Sequence, residues 1–452
     1  MKKMTKKLFM LLMVMLMCLG LCACGGGETD EEEMSGLIEL KLWFPHGSQA
    51  QSYLEEITDA YNMSQDTYYV RVMSSGSVHE VRNKLEATVR PSDYPDLIVS
   101  QAIATCYYDN AKYIKDIQGF VDADSEDWTA SAYESVKTVY SDLDGNLLGW
   151  PIGVSSSGYW VNVDAIKKAG YSLDDITSFE KVAEIATATV EKGICNKGLA
   201  FGDTGVEFVD MFTLQGVDYV NNANGTSAAG TKSLLMEGDT YNVYKKVADI
   251  ITTLHQKDVA VNFNVSQGTG AMPEFNRGEL AFLYGTNSNA FYVVDIAEFE
   301  WAFIPAVGLD DDAKYKDCAL PEGSGLYMCN TENEKKMQGA YEFIKFAARP
   351  ENQVIYCTSL GYLPYTDEAL QNADYQAYLT EKFPSLQGVS DKMKATPAGV
   401  RTPYTQAFDE MCKVTRTFLS YIGNDPEGDV EEYMKQSAFV FEEGLELILE
   451  RQ

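Results

Sequence analysis

Residues 145–163 read GNLLGWPIGVSSSGYWVNV, and this stretch decides how the chain divides. A turn at Asp144-Gly145-Asn146 opens the apolar segment Leu147–Pro151, and a second strand-like run extends from Ser155 to Val163. This run leads directly into a predicted helix that begins at Asp164. We therefore expect the chain to cross here from one lobe into a second, with the boundary between residues 152 and 153.

Strands and helices alternate before the crossing. The predicted elements, in order, are the strand Leu37–Phe44, the helix Gln49–Met63, the strand Thr67–Val72, a helix with Val81, Leu85 and Val89 on one face, and the strand Asp96–Ser100. Alternation of this kind is typical of a mostly parallel sheet with helices on both faces. The sequence therefore predicts an α/β fold.

The segment after the crossing also combines helices with strands, which predicts a second sheet. Helices are predicted at Ser178–Lys192, Phe208–Gln215 and Tyr241–Gln256, around the strand Leu199–Gly202. Met272–Phe282 predicts a helix, a glycine stop and a strand, after which Gly285–Ser288 should face a cleft. We expect an N-terminal lobe of residues 37–152 plus 284–362 and a C-terminal lobe of residues 153–283 plus 363–452.

The N-terminus predicts export and anchoring. Four lysines precede the apolar run Leu8–Cys22, which is too short to span a bilayer stably. Leu21-Cys22-Ala23-Cys24 resembles the bacterial lipobox, and a glycine-rich acidic tether follows over residues 24–36. We expect residues 1–23 to be a lipoprotein signal peptide and Cys24 to carry a lipid, palmitate included, on the outer face of a Gram-positive-type cell membrane. The alternative is an ordinary cleaved signal with incidental cysteines.

Charge and cysteine usage exclude several functions. The 452 residues carry a formal charge of −31, and removing residues 1–23, which hold four lysines and no acids, makes it −35. Such a surface cannot neutralise a phosphate backbone, so we expect no nucleic-acid partner. Six cysteines follow Cys24 without CxxC spacing; Cys412 fits a buried apolar face, and the others could pair outside the cell. The three histidines are isolated, so we predict no metal, no cofactor and no catalytic triad.

Several short segments together carry a family resemblance. They are Leu40–Phe44, Tyr94–Leu97, Gly145–Pro151 with Asn162, Phe275–Phe282, Gly323–Met328 and Ala348–Asn352. Their order resembles the family-1 extracellular solute-binding proteins, the receptor subunits of carbohydrate-type ABC importers, over nearly all of the mature chain. Gly361–Pro364 and Gly399–Arg401 are more similar to the glycerol-3-phosphate-binding branch than to the maltose-binding branch. The resemblance implies a two-lobed clamshell with mixed, mostly parallel sheets that closes on a ligand.

The resemblance also implies a set of pocket residues. In this chain the matching or adjacent positions are Ser155, Ser156, Thr286, Asn287, Ser288, Gly323, Ser324, Gly325, Tyr362, Arg401, Gln101 and His79. Short hydroxyl and amide groups can hold ligand hydroxyls, and an arginine can grip a phosphate or carboxylate with two hydrogen bonds. An ion pair with a nearby carboxylate is the structural alternative for Arg401.

Two departures from the glycerol-3-phosphate branch leave the ligand open. The acidic pocket residue of that branch falls on Ala102, and its second-lobe tryptophans have no counterpart between Phe201 and Val220. A sugar, an oligosaccharide or a glycerol-derived solute remains compatible with the sequence. We predict a monomeric binding protein that delivers this solute to ABC permease subunits without chemical change. The alternatives are a surface-anchored carbohydrate hydrolase with two carboxylates and the ligand-binding component of a sensor.

Overall fold

The computed structural model describes residues 36–45, 50–202, 205–262 and 271–450. The predicted signal peptide, Cys24 and all but the last residue of the tether therefore lie outside the described residues. Glu39–Gln452 form one compact unit. Within the described ranges, no helix combines the length and the apolar character needed to cross a bilayer.

The strands of the described residues form two sheets. Their bounds are β1 (Ile38–Phe44), β2 (Tyr68–Ser74), β3 (Leu97–Gln101), β4 (Ile114–Lys115), β5 (Gly149–Ser155), β6 (Ser157–Asn162), β7 (Lys197–Phe201), β8 (Ala260–Asn262), β9 (Leu280–Thr286), β10 (Trp301–Pro305) and β11 (Glu322–Cys329). The first sheet has the order β2-β1-β3-β11-β4, with β5 also paired to β11, and the second has the order β10-β6-β9-β7-β8.

Helices surround both sheets. Their bounds are α1 (Ala50–Ser64), α2 (Val78–Ala87), α3 (Thr105–Asp109), α4 (Gln118–Ala123), α5 (Glu134–Val139), α6 (Val163–Ala169), α7 (Phe179–Glu191), α8 (Glu207–Gln215), α9 (Gly238–Gln256), α10 (Met272–Asn276), α11 (Glu334–Ala347), α12 (Pro350–Leu360), α13 (Asp367–Leu370), α14 (Ala373–Glu381), α15 (Leu386–Ala395), α16 (Phe408–Asn424) and α17 (Val430–Leu449). Short 3₁₀ turns cover Pro91–Asp93, Ala102–Ala104, Leu173–Asp175 and Asn287–Tyr292, and Asn221–Asn224 form a turn that is left-handed at its centre.

Both sheets are mixed. In the first sheet β1 and β3 are parallel, whereas β11 runs antiparallel to β3, β4 and β5. In the second, β7 is parallel to β8 and β9, whereas β6 is antiparallel to β9 and β10. The predicted α/β class is confirmed. Antiparallel pairing is more extensive than the alternation of elements predicts, because β6 and β11 enter their sheets by crossing from the other one.

The crossings lie later in the chain than the sequence-based boundaries. Since β5 stays in the first sheet as far as Ser155 and β6 joins the second at Ser157, the outward crossing is at Ser156, not between residues 152 and 153. The sequence places the return at residue 284. However, β9 continues to Thr286 and β10 pairs with β6, so the chain returns between Pro305 and Glu322.

The crossing strands are buried at every position, including Trp150 in β5 and Trp160 in β6. Asn162 then ends β6 and caps α6, because its side chain accepts a hydrogen bond from the Ala165 N–H at 2.9 Å. Polar groups of the crossing are therefore far from water and need partners inside the protein.

The cysteines of the described residues are buried thiols. Cys106, Cys195, Cys318, Cys329, Cys357 and Cys412 are all unpaired. Burial raises the pKa of the Cys412 thiol to about 12, so this side chain stays neutral and packs as a small hydrophobe. The prediction of a buried Cys412 is confirmed.

Candidate functional site

The segment Ser155–Ser157 lies where the two sheets meet. Ser155 pairs with Glu322 of the first sheet, whereas Ser157 pairs with Thr286 of the second. All three serines are buried. The site therefore forms around a backbone segment that belongs to both sheets.

Asn287 satisfies the polar groups of this segment. Its Oδ1 accepts a hydrogen bond from the Ser156 N–H at 2.6 Å, and its Nδ2 donates to the Gly361 carbonyl at 2.5 Å. Its own N–H donates to the Ser156 carbonyl at 3.3 Å. The sequence predicts a ligand contact for Asn287, but this side chain is fully buried and occupied by the main chain on both sides. Asn287 therefore has a positioning role.

Gly361 makes this arrangement possible. It ends α12 with a φ of +76°, a left-handed conformation that favours glycine. A Cβ at this position would lie 2.4 Å from the Ala290 Cβ and 2.8 Å from the Asn287 carbonyl oxygen. The glycine thus lets the chain pass close to Asn287 and delivers the next residue, Tyr362, to the seam between the sheets.

Three hydroxyl side chains from three separate segments meet at this seam. The Tyr362 hydroxyl lies within hydrogen-bonding reach of Ser288 and Ser324, and the Ser288 Oγ is 2.7 Å from the Thr286 Oγ1. Burial raises the pKa of Tyr362, so its hydroxyl remains protonated and can donate. We call Ser288, Ser324 and Tyr362 the hydroxyl cluster.

Glycines bring β11 close to this cluster. Gly323 has a φ of +111°, and a Cβ there would lie 2.1 Å from the Gly153 carbonyl oxygen. A Cβ at Gly325 would lie 2.4 Å from the Tyr140 Cε1. Ser324, between the two glycines, keeps a partly exposed side chain. The predicted glycine-rich segment therefore shapes the wall of the site through its backbone.

Arg401 is a buried cation. Only 7% of the residue is exposed, and its Nη1 donates to the Thr138 carbonyl at 2.8 Å. The guanidinium lies 4.7 Å over the Tyr404 ring, and its Nε has no hydrogen-bond partner. Arg401 forms no ion pair with a carboxylate of the described residues, so the ion-pair alternative that the sequence left open is not seen among them.

The segment Thr138–Tyr140 connects Arg401 to β11, because Arg401 bonds to the Thr138 carbonyl. Two residues after Thr138, the ring of Tyr140 packs against Gly325. Burial lowers the pKa of Arg401, which reflects the cost of holding this charge away from water without a counterion. An anionic group from outside the described chain would reduce that cost.

Gln101 and His79 have different surroundings. Gln101 ends β3, is exposed and lies directly across from Ser324 in the strand register, so it borders the hydroxyl cluster. His79 is exposed on α2, with its Nδ1 2.6 Å from the Arg82 Nη2 and 3.5 Å from the Asp409 Oδ2. The contacts of His79 are thus with an ion pair between α2 and α16, and not with the hydroxyl cluster.

Sequence reasoning missed two buried acids beside the site. Glu322 immediately precedes the predicted glycine segment, and Asp210 lies in α8, where every residue from Glu207 to Leu214 is buried. An acidic residue in the middle of an apolar helix is a signal from which the buried carboxyl group of Asp210 could have been predicted. The overall negative charge of the chain does not distinguish Asp210 from acids at the surface.

A separate groove lies along the edge strand β8. Its volume is about 660 Å³, and its lining includes His255, Asn262 and Arg416. The Asn262 Oδ1 lies 3.1 Å from the His255 Nε2, and its Nδ2 donates to the Leu419 carbonyl at 2.5 Å. The groove has polar walls but does not contain the hydroxyl cluster.

Comparison with known proteins agrees with this architecture. A family model described as "Bacterial extracellular solute-binding protein" matches residues 56–381. The chain belongs to this family. Relatives of this solute-binding protein include the sn-glycerol-3-phosphate-binding periplasmic proteins of Yersinia enterocolitica (23% identity, 82% of this chain and 83% of the relative) and Rhizobium meliloti (24%, 80% and 84%).

Solved structures share the fold of this solute-binding protein. UgpB from Mycobacterium tuberculosis, in complex with glycerophosphocholine, superposes with a TM-score of 0.73 at 19% identity over 92% of this chain and 99% of that one. The sugar-binding protein MalE from Xanthomonas citri gives 0.71 at 15% identity over 92% and 100%. The predicted family and the predicted two-lobed fold are both confirmed.

The role of Asn287 can be tested by its removal. Asn287→Ala leaves the Ser156 N–H and the Gly361 carbonyl buried without their side-chain partner, and we expect it to lower the free energy of unfolding by about 3 kcal/mol. Urea denaturation measures this loss. The exposed Asn196→Ala is the control and should change stability by less than about 0.5 kcal/mol. Equal effects of the two substitutions would contradict the positioning role.

Proposed function

We propose that this protein is the lipid-anchored substrate-binding component of an ABC importer, and that it captures a small hydroxylated solute with an anionic group. The buried guanidinium of Arg401, which has no carboxylate partner among the described residues, is the observation that carries the ligand class. The protein acts as a monomer that hands the solute unchanged to permease subunits. Its two lobes close by motion about Ser156 and the return segment 306–321.

The proposed ligand contacts follow from the chemistry around the seam. The hydroxyl cluster offers donors and acceptors to ligand hydroxyls, as do Ser155, Thr286 and Gln101. Arg401 supplies the charge that an anionic group needs. Ser324 of the hydroxyl cluster is followed by Gly325, which packs against Tyr140, and Tyr140 lies two residues from the Thr138 carbonyl that Arg401 contacts.

Names of related proteins support a glycerol-phosphate-type solute. Relatives named for sn-glycerol 3-phosphate and a structural neighbour solved with glycerophosphocholine both handle a phosphate ester of glycerol. Structural neighbours named for maltose-type sugars keep a neutral oligosaccharide as the second candidate. The two ligand classes differ in charge: a phosphate ester needs a cationic side chain in the binding site, whereas a neutral oligosaccharide does not.

The buried acids do not favour the hydrolase alternative. A glycoside hydrolase requires two carboxyl groups that flank a bond in the substrate and reach it. The Asp210 Oδ1 and the Glu322 Oε1 are both buried from solvent, and the two carboxyl groups contact each other. We therefore propose binding without chemistry.

Substitution of Arg401 separates the two ligand classes. Arg401→Ala should weaken binding of sn-glycerol 3-phosphate or glycerophosphocholine by on the order of 100-fold, because the anion loses its buried counterion. Binding of a neutral sugar should weaken only about threefold. Isothermal titration calorimetry measures both affinities after a thermal-shift screen has identified the ligand.

Two variants control this experiment. Arg401→Lys keeps the charge without the planar fork and should give an intermediate loss. Arg90→Ala removes an exposed arginine that pairs with Asp93 and should leave the affinity unchanged. Undiminished binding of a phosphorylated solute by Arg401→Ala would refute the assigned ligand class.

Cys24 provides the test of anchoring. We expect Cys24→Ala to abolish incorporation of labelled palmitate and to move the protein from the detergent phase into the aqueous phase on Triton X-114 partitioning. Cys22→Ala should retain both the label and the detergent partitioning, since Leu21 makes Cys22 the poorer acceptor. Continued labelling of the Cys24→Ala protein would show that the anchor is elsewhere.

A further inference from the structure

We propose that Asp210 and Glu322 form a latch between the two lobes, closed by a proton that the two carboxyl groups share. The inference rests on the proposed closure of the lobes and adds to it a dependence on pH. Neither residue was assigned a role by the resemblance to the family.

The latch connects one sheet to the other. Glu322 is the first residue of β11 in the first sheet. Asp210 lies in α8, and its Oδ2 accepts a hydrogen bond from the hydroxyl of Tyr284, a residue of β9 in the second sheet, at 2.8 Å. A bond between the two acids therefore joins the lobes directly beside Ser155–Ser157.

The geometry leaves one oxygen of each acid for the other. The Glu322 Oε2 accepts from the Ser157 hydroxyl at 2.8 Å, and the Asp210 Oδ2 is occupied by Tyr284. The Asp210 Oδ1 and the Glu322 Oε1 are buried and have no donor, while the two side chains are within hydrogen-bonding reach of each other. Two ionised carboxylates within hydrogen-bonding reach repel each other, whereas one shared proton turns the contact into a strong O–H···O bond.

The surroundings favour retention of that proton. Burial and then the charge of Glu322 raise the pKa of Asp210 well above its usual range. Burial also raises the pKa of Glu322, to about 7, and the charge of Glu207 adds to this effect. The two carboxyl groups titrate as a pair. Both pKa values are raised, so the closed contact binds a proton more tightly than the separated acids do.

The other groups that face the pair come from four elements. Glu207 lies on the same helix, and Tyr159 of β6 and Tyr284 of β9 are within electrostatic range. On α16, Cys412 is within electrostatic range of Glu322 and Glu207 as well as of Arg416. Buried acids and neutral hydroxyl groups thus dominate the nearest surroundings.

This arrangement sets the sign of the pH effect. When the lobes separate, water reaches both carboxyl groups, their pKa values return towards the ordinary range and the proton is released. Because the pKa values of Asp210 and Glu322 are raised in the closed contact, the latch makes its full contribution to closure at acid pH. Its contribution is lost as the pH rises through the raised pKa values of the two acids, of which that of Glu322 is about 7 and that of Asp210 is also well above its usual range.

An amide in place of one acid removes the need for the proton. In Asp210→Asn the side-chain oxygen can still accept from Tyr284, while the NH₂ group donates to Glu322 at every pH. Glu322→Gln makes the matching change on the other side, with its oxygen kept for Ser157. Either variant should keep the bond between the lobes without its pH dependence.

The test follows ligand-free protein from about pH 5.5 to about pH 9 by urea denaturation and by small-angle X-ray scattering. The wild type should lose stability and increase in radius of gyration as the pH rises. The closed-to-open ratio should fall by up to about tenfold per pH unit between the pKa of the separated acids and the raised pKa of the closed contact, and should level off above the latter. Asp210→Asn and Glu322→Gln should give flat profiles across the same range. The exposed Asp249→Asn, which removes a partner of Lys245, should retain the wild-type profile.

Two outcomes would overturn the latch. One is a wild-type profile that is flat, and the other is a wild-type pH dependence that both amide variants share. No solute is added, so a failure to find a ligand for the protein leaves this result unaffected. Conversely, a protein that binds a solute but shows no pH-dependent opening would retain the proposed function and lose the latch.

Discussion

The structure depends on a buried segment of backbone that must belong to two sheets at once. Ser155 is hydrogen-bonded into the first sheet and Ser157 into the second. Ser156 crosses the core between them, and neither sheet supplies hydrogen-bond partners for both its N–H and its carbonyl. Asn287 supplies the missing partners and ties the crossing to Gly361. Without these bonds, burial of the segment would leave main-chain groups unpaired, which costs free energy at each of them.

The same constraint explains where the binding chemistry lies. Segments that meet at a crossing must approach closely, so they carry glycine and short hydroxyl side chains, as Gly323–Gly325 and Ser288 do. These residue types also leave polar groups pointing into the seam. The seam between two lobes is thus both the mechanical connection and the place where a hydroxylated solute can be held. The acid pair Asp210–Glu322 lies beside it and makes the connection sensitive to protons.

Much of this could be predicted from the sequence. Local patterns suffice for the crossing near Ser155, the strand and helix order and the family, because hydrophobic periodicity and turn residues act over short distances. The return between Pro305 and Glu322 could not be predicted, since β10 joins the second sheet by a pairing distant in sequence. The roles of Asn287 and Asp210 also depend on partners more than 70 residues away. Residue type alone cannot distinguish a side chain that faces a ligand from one that bonds the backbone.

The most direct test of the account is a crystal structure with a bound solute identified by thermal-shift screening of sn-glycerol 3-phosphate, glycerophosphocholine and neutral sugars. The account predicts electron density for the solute between the lobes, with its hydroxyl groups on Ser155 and the hydroxyl cluster and an anionic group on Arg401. Density in the groove along β8, or a solute in the seam that leaves Arg401 without a contact, would contradict it.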